Sequence, residues 1–117
     1  MDIGAISIRY ARALLKAATA EGLEDKVYQD MMTLAKSYLE VDQLRQTVEN
    51  PMLSKEKKEG ILAVAAGEQP SVLTRNFINL VLKEGRENVM QFIANSYITL
   101  YRKQKNDVEA DRLLERL

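Results

Sequence analysis

Apolar residues at helical spacing run through almost the whole chain, and this pattern constrains the fold more than any other feature. Two segments, residues 3–20 and 72–84, carry more apolar residues than a helix needs to face one core. At about 100° per residue, those of the second segment cover an arc of roughly 200°, about twice the usual core-facing stripe. They are Leu73, Phe77, Ile78, Leu80, Val81 and Leu82. Such a surplus predicts either a helix enclosed by its own neighbours or a groove that receives an amphipathic partner helix.

The breaks in this pattern predict a single all-α bundle of about six helices. Gly22, Gly67 and Gly85 each follow a periodic stretch, at the position where a left-handed residue commonly ends a helix. Asn50-Pro51 is a further break, because proline disfavours the helical conformation in the residue before it. No sustained alternation of the kind found in strands competes. The predicted helices cover residues 3–20, 23–40, 42–48, 55–66, 70–84 and 86–103.

Three residues are expected to mark helix starts. Asp42 is the predicted cap of the short third helix, and Ser54 is the predicted cap of the fourth. Pro70 suits the first turn of the fifth, where a missing N–H costs nothing.

The length of 117 residues is that of one domain. We assign residues 1–105 to a six-helix domain and residues 106–117 to a tail or to the start of a further domain. The tail places apolar residues among charges and stops without a helix cap, so we expect the protein to continue past Leu117. These apolar residues are Val108, Leu113, Leu114 and Leu117.

The composition argues against most chemistry. Histidine and cysteine are absent, which removes the usual general base, thiolate nucleophiles and the commonest metal ligands. Ser54 and Lys57 have a spacing found in serine acyl-enzymes, but the other motifs of those enzymes are missing. Residues 107–111 imitate the start of a calcium loop, yet Arg112 stands where such a loop requires glycine. We therefore predict no catalytic, cofactor or metal site.

A helical domain that binds DNA or has a regulatory role is the alternative function. The two helices that flank Gly67 resemble a helix-turn-helix in spacing. The second of them offers only Arg75 and Lys83 as cations, and the formal net charge of the chain is zero. Long-range attraction of nucleic acid is therefore not expected. An enzyme is a third possibility, which would need an isolated Glu or Lys in a closed pocket.

The order of these features resembles the N-terminal domain of the δ subunit of F-type ATP synthase, the oligomycin sensitivity-conferring protein family. The resemblance covers about residues 3–105. It rests on the opening Ile8-Arg9-Tyr10-Ala11-Arg12-Ala13-Leu14-Leu15, residues 44–53 with Asn50-Pro51, Lys57, and Asn76-Phe77-Ile78-Asn79-Leu80 followed by Glu84-Gly85-Arg86. Two features depart from the family pattern: Glu87 stands where an apolar residue is more usual, and the tail lacks the strand-rich opening of the second domain.

The resemblance implies a six-helix bundle that catalyses nothing and binds no cofactor. Such a domain belongs to the peripheral stalk, or stator, and its first and fifth helices bind the N-terminal helix of an α subunit. A C-terminal domain outside these 117 residues would join the stalk b subunit. Together they would hold the catalytic head against rotor torque during proton-driven ATP synthesis.

The resemblance also implies a location and a set of contact residues. We expect a peripheral position on the cytoplasmic side of the bacterial inner membrane, with no membrane insertion and no nucleic acid bound. The absence of cysteine fits such a reducing compartment. The positions that match the family's contact residues are Tyr10, Ala13 and Leu80, and with their neighbours on the two wide apolar faces the predicted partner site comprises Ile6, Tyr10, Ala13, Ala17, Asn76, Phe77 and Leu80.

Overall fold

The computed structural model describes residues 3–117 and forms an all-α bundle, as predicted. Across those residues there are six α-helices, one 3₁₀ turn and no strand. The helices are α1 (Ile3–Glu21), α2 (Glu24–Glu40), α3 (Leu44–Glu49), α4 (Lys55–Ala65), α5 (Val72–Lys83) and α6 (Met90–Glu115), and the 3₁₀ turn Glu87–Val89 precedes α6.

The longest helix, α6, organises the bundle. It packs against both α1 and α2, whereas α5 packs mainly against α4. One continuous apolar core joins all six helices. Its largest fully buried side chains include Met31, Leu34, Leu62, Ile78, Ile93 and Tyr97.

The predicted glycine ends are confirmed. Gly22, Gly67 and Gly85 are the glycines with positive φ within residues 3–117, at 71°, 130° and 69°. After Gly85, the Arg86 N–H donates to the Val81 carbonyl at 2.9 Å, which pairs one of the last carbonyls of α5. A Cβ at Gly85 would strain this left-handed turn, so glycine is required there for its backbone freedom.

Of the two predicted N-caps, Ser54 is confirmed and Asp42 is wrong. The Ser54 Oγ accepts a hydrogen bond from the Lys57 N–H at 3.2 Å. The third helix begins later than expected, at Leu44, and Gln43 precedes it without a side-chain cap. Asp42 lies in the turn between α2 and α3, one residue too early to cap this helix.

Pro70 lies outside the fifth helix, which corrects its placement in the first turn. The helix begins at Val72, and Ser71 is its N-cap in an extended conformation. The Ser71 Oγ accepts from the Thr74 N–H at 3.0 Å, so the serine satisfies a donor that proline could not. Pro70 is buried immediately before this cap.

The last helix starts and ends later than predicted. The 3₁₀ turn at Glu87–Val89 delays its start to Met90, and its end moves from Lys103 to Glu115. No glycine or proline interrupts residues 90–115, and the Lys103 ammonium pairs with the Asp107 carboxylate one turn on, at 3.0 Å. The tail is therefore a helical extension with exposed side chains. The proposed boundary at residue 105 falls inside this helix, and the division of the chain there stays a prediction.

Candidate helix-docking site

One flank of α1 leaves apolar side chains uncovered beside the core-facing stripe. The stripe itself is buried and includes Ala11, Leu14 and Ala18. The next sector, about 60° wide at 100° per residue, holds the four predicted contact residues of this helix. Ala13 and Ala17 are exposed, Tyr10 is half-buried, and Ile6 is buried.

Tyr10 forms the edge between this flank and the core. Its ring packs against the buried cluster, and the Arg9 guanidinium carbon lies 5.9 Å from the ring centroid. The small side chains of Ala13 and Ala17 follow at one and two turns along the helix. This spacing gives the flank a shallow surface that another helix can approach closely.

The fifth helix is mostly enclosed by its neighbours, so the bundle itself covers much of the wide apolar arc. Phe77, Ile78, Val81 and Leu82 are buried. The Leu80 side chain is 46% exposed, Leu73 is half-buried, and Asn76 is exposed beside them. The surplus that the sequence indicated is thus reduced to one edge of α5, formed by Leu73, Asn76 and Leu80.

The two flanks do not cover each other. The main contacts of α1 are with α6 and α2, those of α5 are with α4, and α1 shares no extensive interface with α5. Ala13, Ala17 and Leu80 therefore keep solvent-accessible apolar surface. Ile6 and Phe77 are 7% and 6% exposed, so they can support such a surface from below but offer little area themselves.

A buried carboxylate from α2 holds the start of α5. Asp30 is 2% exposed, and its Oδ2 accepts hydrogen bonds from the Ser71 N–H at 2.9 Å and the Thr74 hydroxyl at 2.7 Å. Its Oδ1 pairs with the Lys26 ammonium at 2.9 Å. An anion is favourable at this position because the N-terminus of a helix carries positive charge. Sequence reasoning missed Asp30, although an acidic residue between Val27 and Met31 on an apolar face was a usable signal.

A second buried ionic contact fixes the connection between α5 and α6. The Lys58 ammonium lies 3.0 Å from the Glu87 carboxylate, with side chains only 6% and 15% exposed. Burial of Glu87 opposes its ionisation, but a backbone hydrogen bond and Lys58 outweigh burial, and the pKa of Glu87 is lowered. The departure from the family pattern at Glu87 therefore has a structural partner in α4.

Tyrosine side chains link α6 to the start of α2 by stacking and hydrogen bonds. The Tyr101 ring stacks on Tyr28 with centroids 3.9 Å apart, and its hydroxyl donates to the Asp25 carboxylate at 2.6 Å. This hydrogen bond, helped by burial, raises the pKa of Tyr101 to about 12. The hydroxyl of Tyr97 donates to the Glu24 carbonyl at 2.9 Å. These contacts stabilise the packing of α2 on α6.

The serine–lysine pair and the acidic residues considered in the sequence analysis have structural roles or lie on the helix surface. Ser54 acts as a helix cap towards Lys57, as described above. Asp107, Glu109 and Asp111 lie along the exposed part of α6 rather than in a loop. Within residues 3–117, no group of three or more acidic, histidine or cysteine side chains could hold a metal ion. In the same residues, no helix combines the length and the apolar character needed to cross a bilayer.

The chain is similar to named ATP synthase subunits. Relatives called "ATP synthase subunit delta" are 48% identical in Phocaeicola vulgatus, 46% in Parabacteroides distasonis and 40% in Bacteroides fragilis. The alignments cover 91%, 90% and 91% of this chain and 58% of each relative. The chain thus spans a little over half the length of these relatives.

Residues 6–111 match the family described as "ATP synthase delta (OSCP) subunit". The match overlaps all six α-helices and includes every predicted contact residue. The resemblance noted in the sequence is thereby confirmed, and this chain belongs to the ATP synthase delta (OSCP) subunit family.

Proposed function

We propose that this chain is the N-terminal part of a non-catalytic stator subunit of an F-type ATP synthase. In this proposal it binds the N-terminal helix of an α subunit between α1 and α5. Its family and the names of its relatives support a role in that complex. The observation that carries the docking site is the pair of uncovered apolar flanks, with Ala13 and Ala17 on α1 and Leu80 on α5.

The chemistry of these flanks suits a guest helix. Apolar residues at spacings of three and four along the guest would lie on Ala13 and Ala17 and against Leu80. Tyr10 would form one rim, and Asn76 could bond to polar atoms at the other. Burial of about 500 Å² of apolar area would contribute on the order of 12 kcal/mol before the ordering of the guest is subtracted.

The remaining parts of the proposal concern the whole assembly. A C-terminal domain would bind the stalk b subunit, and the complete subunit would hold the catalytic head against rotor torque. The protein would lie on the cytoplasmic side of the bacterial inner membrane, bound to the complex and without membrane insertion. Resisting torque requires affinity and rigidity, so no catalytic group, cofactor or nucleic-acid site is needed.

Titration of an α-subunit N-terminal peptide tests the site. Leu80→Asp should abolish binding, because it places a charge in an apolar contact. Leu39→Asp is the matched control, since Leu39 is 77% exposed on α2 and lies outside the proposed site. Circular dichroism should give wild-type helical content for both variants. Equal affinity of the Leu80 variant and the control would remove α5 from the site.

A second substitution tests α1 by shape. Ala13→Trp should block the peptide sterically, because the large ring would occupy the shallow surface beside Tyr10. The salt dependence of binding distinguishes peptide docking from the alternative function, DNA binding. Binding to phosphates weakens steeply with ionic strength, whereas apolar docking hardly changes. Normal peptide binding by the Ala13 variant would contradict the proposed position of the guest.

A further inference from the structure

The outer face of α4 carries a short apolar trough that belongs to neither flank of the proposed site. It is a surface cleft of about 510 Å³. Leu53, Lys57, Gly60, Ile61 and Val64 line it, and Val64 is 78% exposed. Leu53 and Ile61 form the half-buried floor. Lys57 is the one charged residue in this lining.

Gly60 is the unusual residue of this trough. It lies in the middle of α4, where glycine is less favourable than alanine. Its φ is not positive, so the backbone does not require glycine. A Cβ built on Gly60 would meet no atom within 4 Å, so packing inside the bundle does not require glycine either. The missing side chain deepens the trough instead, and it would let the backbone of another molecule approach closely.

We propose that this trough is a second docking site, which takes an amphipathic helix with a small residue at the crossing point and an acidic residue beside it. Apolar residues one turn on either side of the small residue would lie on Ile61 and Val64. The acidic residue would pair with the Lys57 ammonium, which has no ion-pair partner among residues 3–117.

The size of the trough excludes a second copy of this chain as the occupant. From Leu53 to Val64 the surface is only about three helical turns long, roughly 16 Å. Stable association of two folded chains buries about 1,200–2,000 Å², far more than two such troughs can supply. A single helix that is held elsewhere in a larger assembly can use a contact of this size, because attachment raises its effective concentration.

Fluorescence anisotropy with a designed probe tests the site. The probe is an amphipathic peptide of about 16 residues with a central alanine, leucines one turn away and flanking glutamates. Gly60→Leu should weaken its binding about tenfold by filling the trough. Gly60→Ala should raise the thermal midpoint by about 2–4 °C and still weaken binding, which separates docking from stability.

Charge exchange tests the second feature. Lys57→Glu should weaken binding of the probe with glutamates and strengthen binding of a probe with lysines in place of the glutamates. Lys36→Glu on α2 should change the affinity of neither probe. Leu80→Asp should leave the affinity for the probe unchanged. A negative result for the trough is therefore distinct from a negative result for the α1–α5 site. Absence of probe binding, equal binding by Gly60→Leu, or loss of binding in Leu80→Asp would each overturn the proposal.

Discussion

Replacement of Asp30 by alanine should destabilise the fold strongly. Its Oδ2 accepts from both the Ser71 N–H and the Thr74 hydroxyl, and the side chain is 2% exposed. A hydrogen bond to a charged group contributes about 1.5–3 kcal/mol, and the two donors would be left unpaired. The Lys26 side chain is 45% exposed, so its ion pair adds little. The expected loss is about 3–4 kcal/mol.

Urea and thermal unfolding followed by circular dichroism measure this loss. A decrease of about 3 kcal/mol should lower the thermal midpoint by about 10–15 °C in a domain of this size. Asp30→Asn is the matched control, because the amide oxygen can still accept from Ser71 and Thr74 while the charge is gone. Its cost should be about 1 kcal/mol.

Hydrogen exchange locates the effect. In Asp30→Ala, the amides in the first turn of α5 should lose protection before those of α6, because Asp30 binds only the former. A cost below about 1 kcal/mol for the alanine variant, or equal costs for alanine and asparagine, would refute this account of how α5 is anchored.

Three further outcomes follow from other contacts. The pKa of Glu87 lies below its ordinary value of 4.5, so its pair with Lys58 stabilises the fold above that pH and is lost as the pH falls through the folded-state pKa. Glu87→Gln should therefore flatten the fall of the thermal midpoint in acid, and an unchanged acid slope would contradict the pair. Tyr101 has its pKa raised from 10.0 to about 12, so its bond to Asp25 stabilises the fold fully below pH 10, and this contribution is lost as the pH rises through about 12. Tyr101→Phe should flatten the alkaline loss of stability, measured by the same thermal scans. Gly85→Ala should cost about 1 kcal/mol in urea unfolding because φ is positive there, and a neutral effect would show that the turn relaxes.

The helix ends that a glycine marks were more predictable than the helix starts, for a physical reason. A glycine after a periodic stretch has one dominant local role, and Gly22, Gly67 and Gly85 all adopt positive φ. A helix start is marked less sharply, because adjacent residues can each suit the cap or the first turn. Pro70 and Ser71 compete within two positions, and the serine became the cap because its hydroxyl can accept from the helix.

The sequence predicted which sector of each helix holds the candidate site, but not which residues of that sector are exposed. Periodicity placed Ile6 with Ala13 and placed Phe77 with Leu80, because members of each pair lie close in angle around the helix. Which of them is buried depends on how far the neighbouring helices reach, and the sequence does not contain that distance. Ile6 and Phe77 are buried by neighbouring helices, while Ala13 and Leu80 stay accessible to solvent. Asp30 is a similar case, since its partners lie about 40 residues away in the chain.

Polar contacts at both ends of α5 help to hold its uncovered edge in place. Asp30 holds the start of the helix, and the Lys58–Glu87 pair fixes the turn that follows it. The α5 edge is therefore held by packing against α4 and by contacts at both ends, and not by packing against α1. A guest helix that docks on a fixed edge need not order that edge, so less of its binding energy is lost. Substitutions at Asp30 or Lys58 should thus weaken the proposed docking without touching the guest.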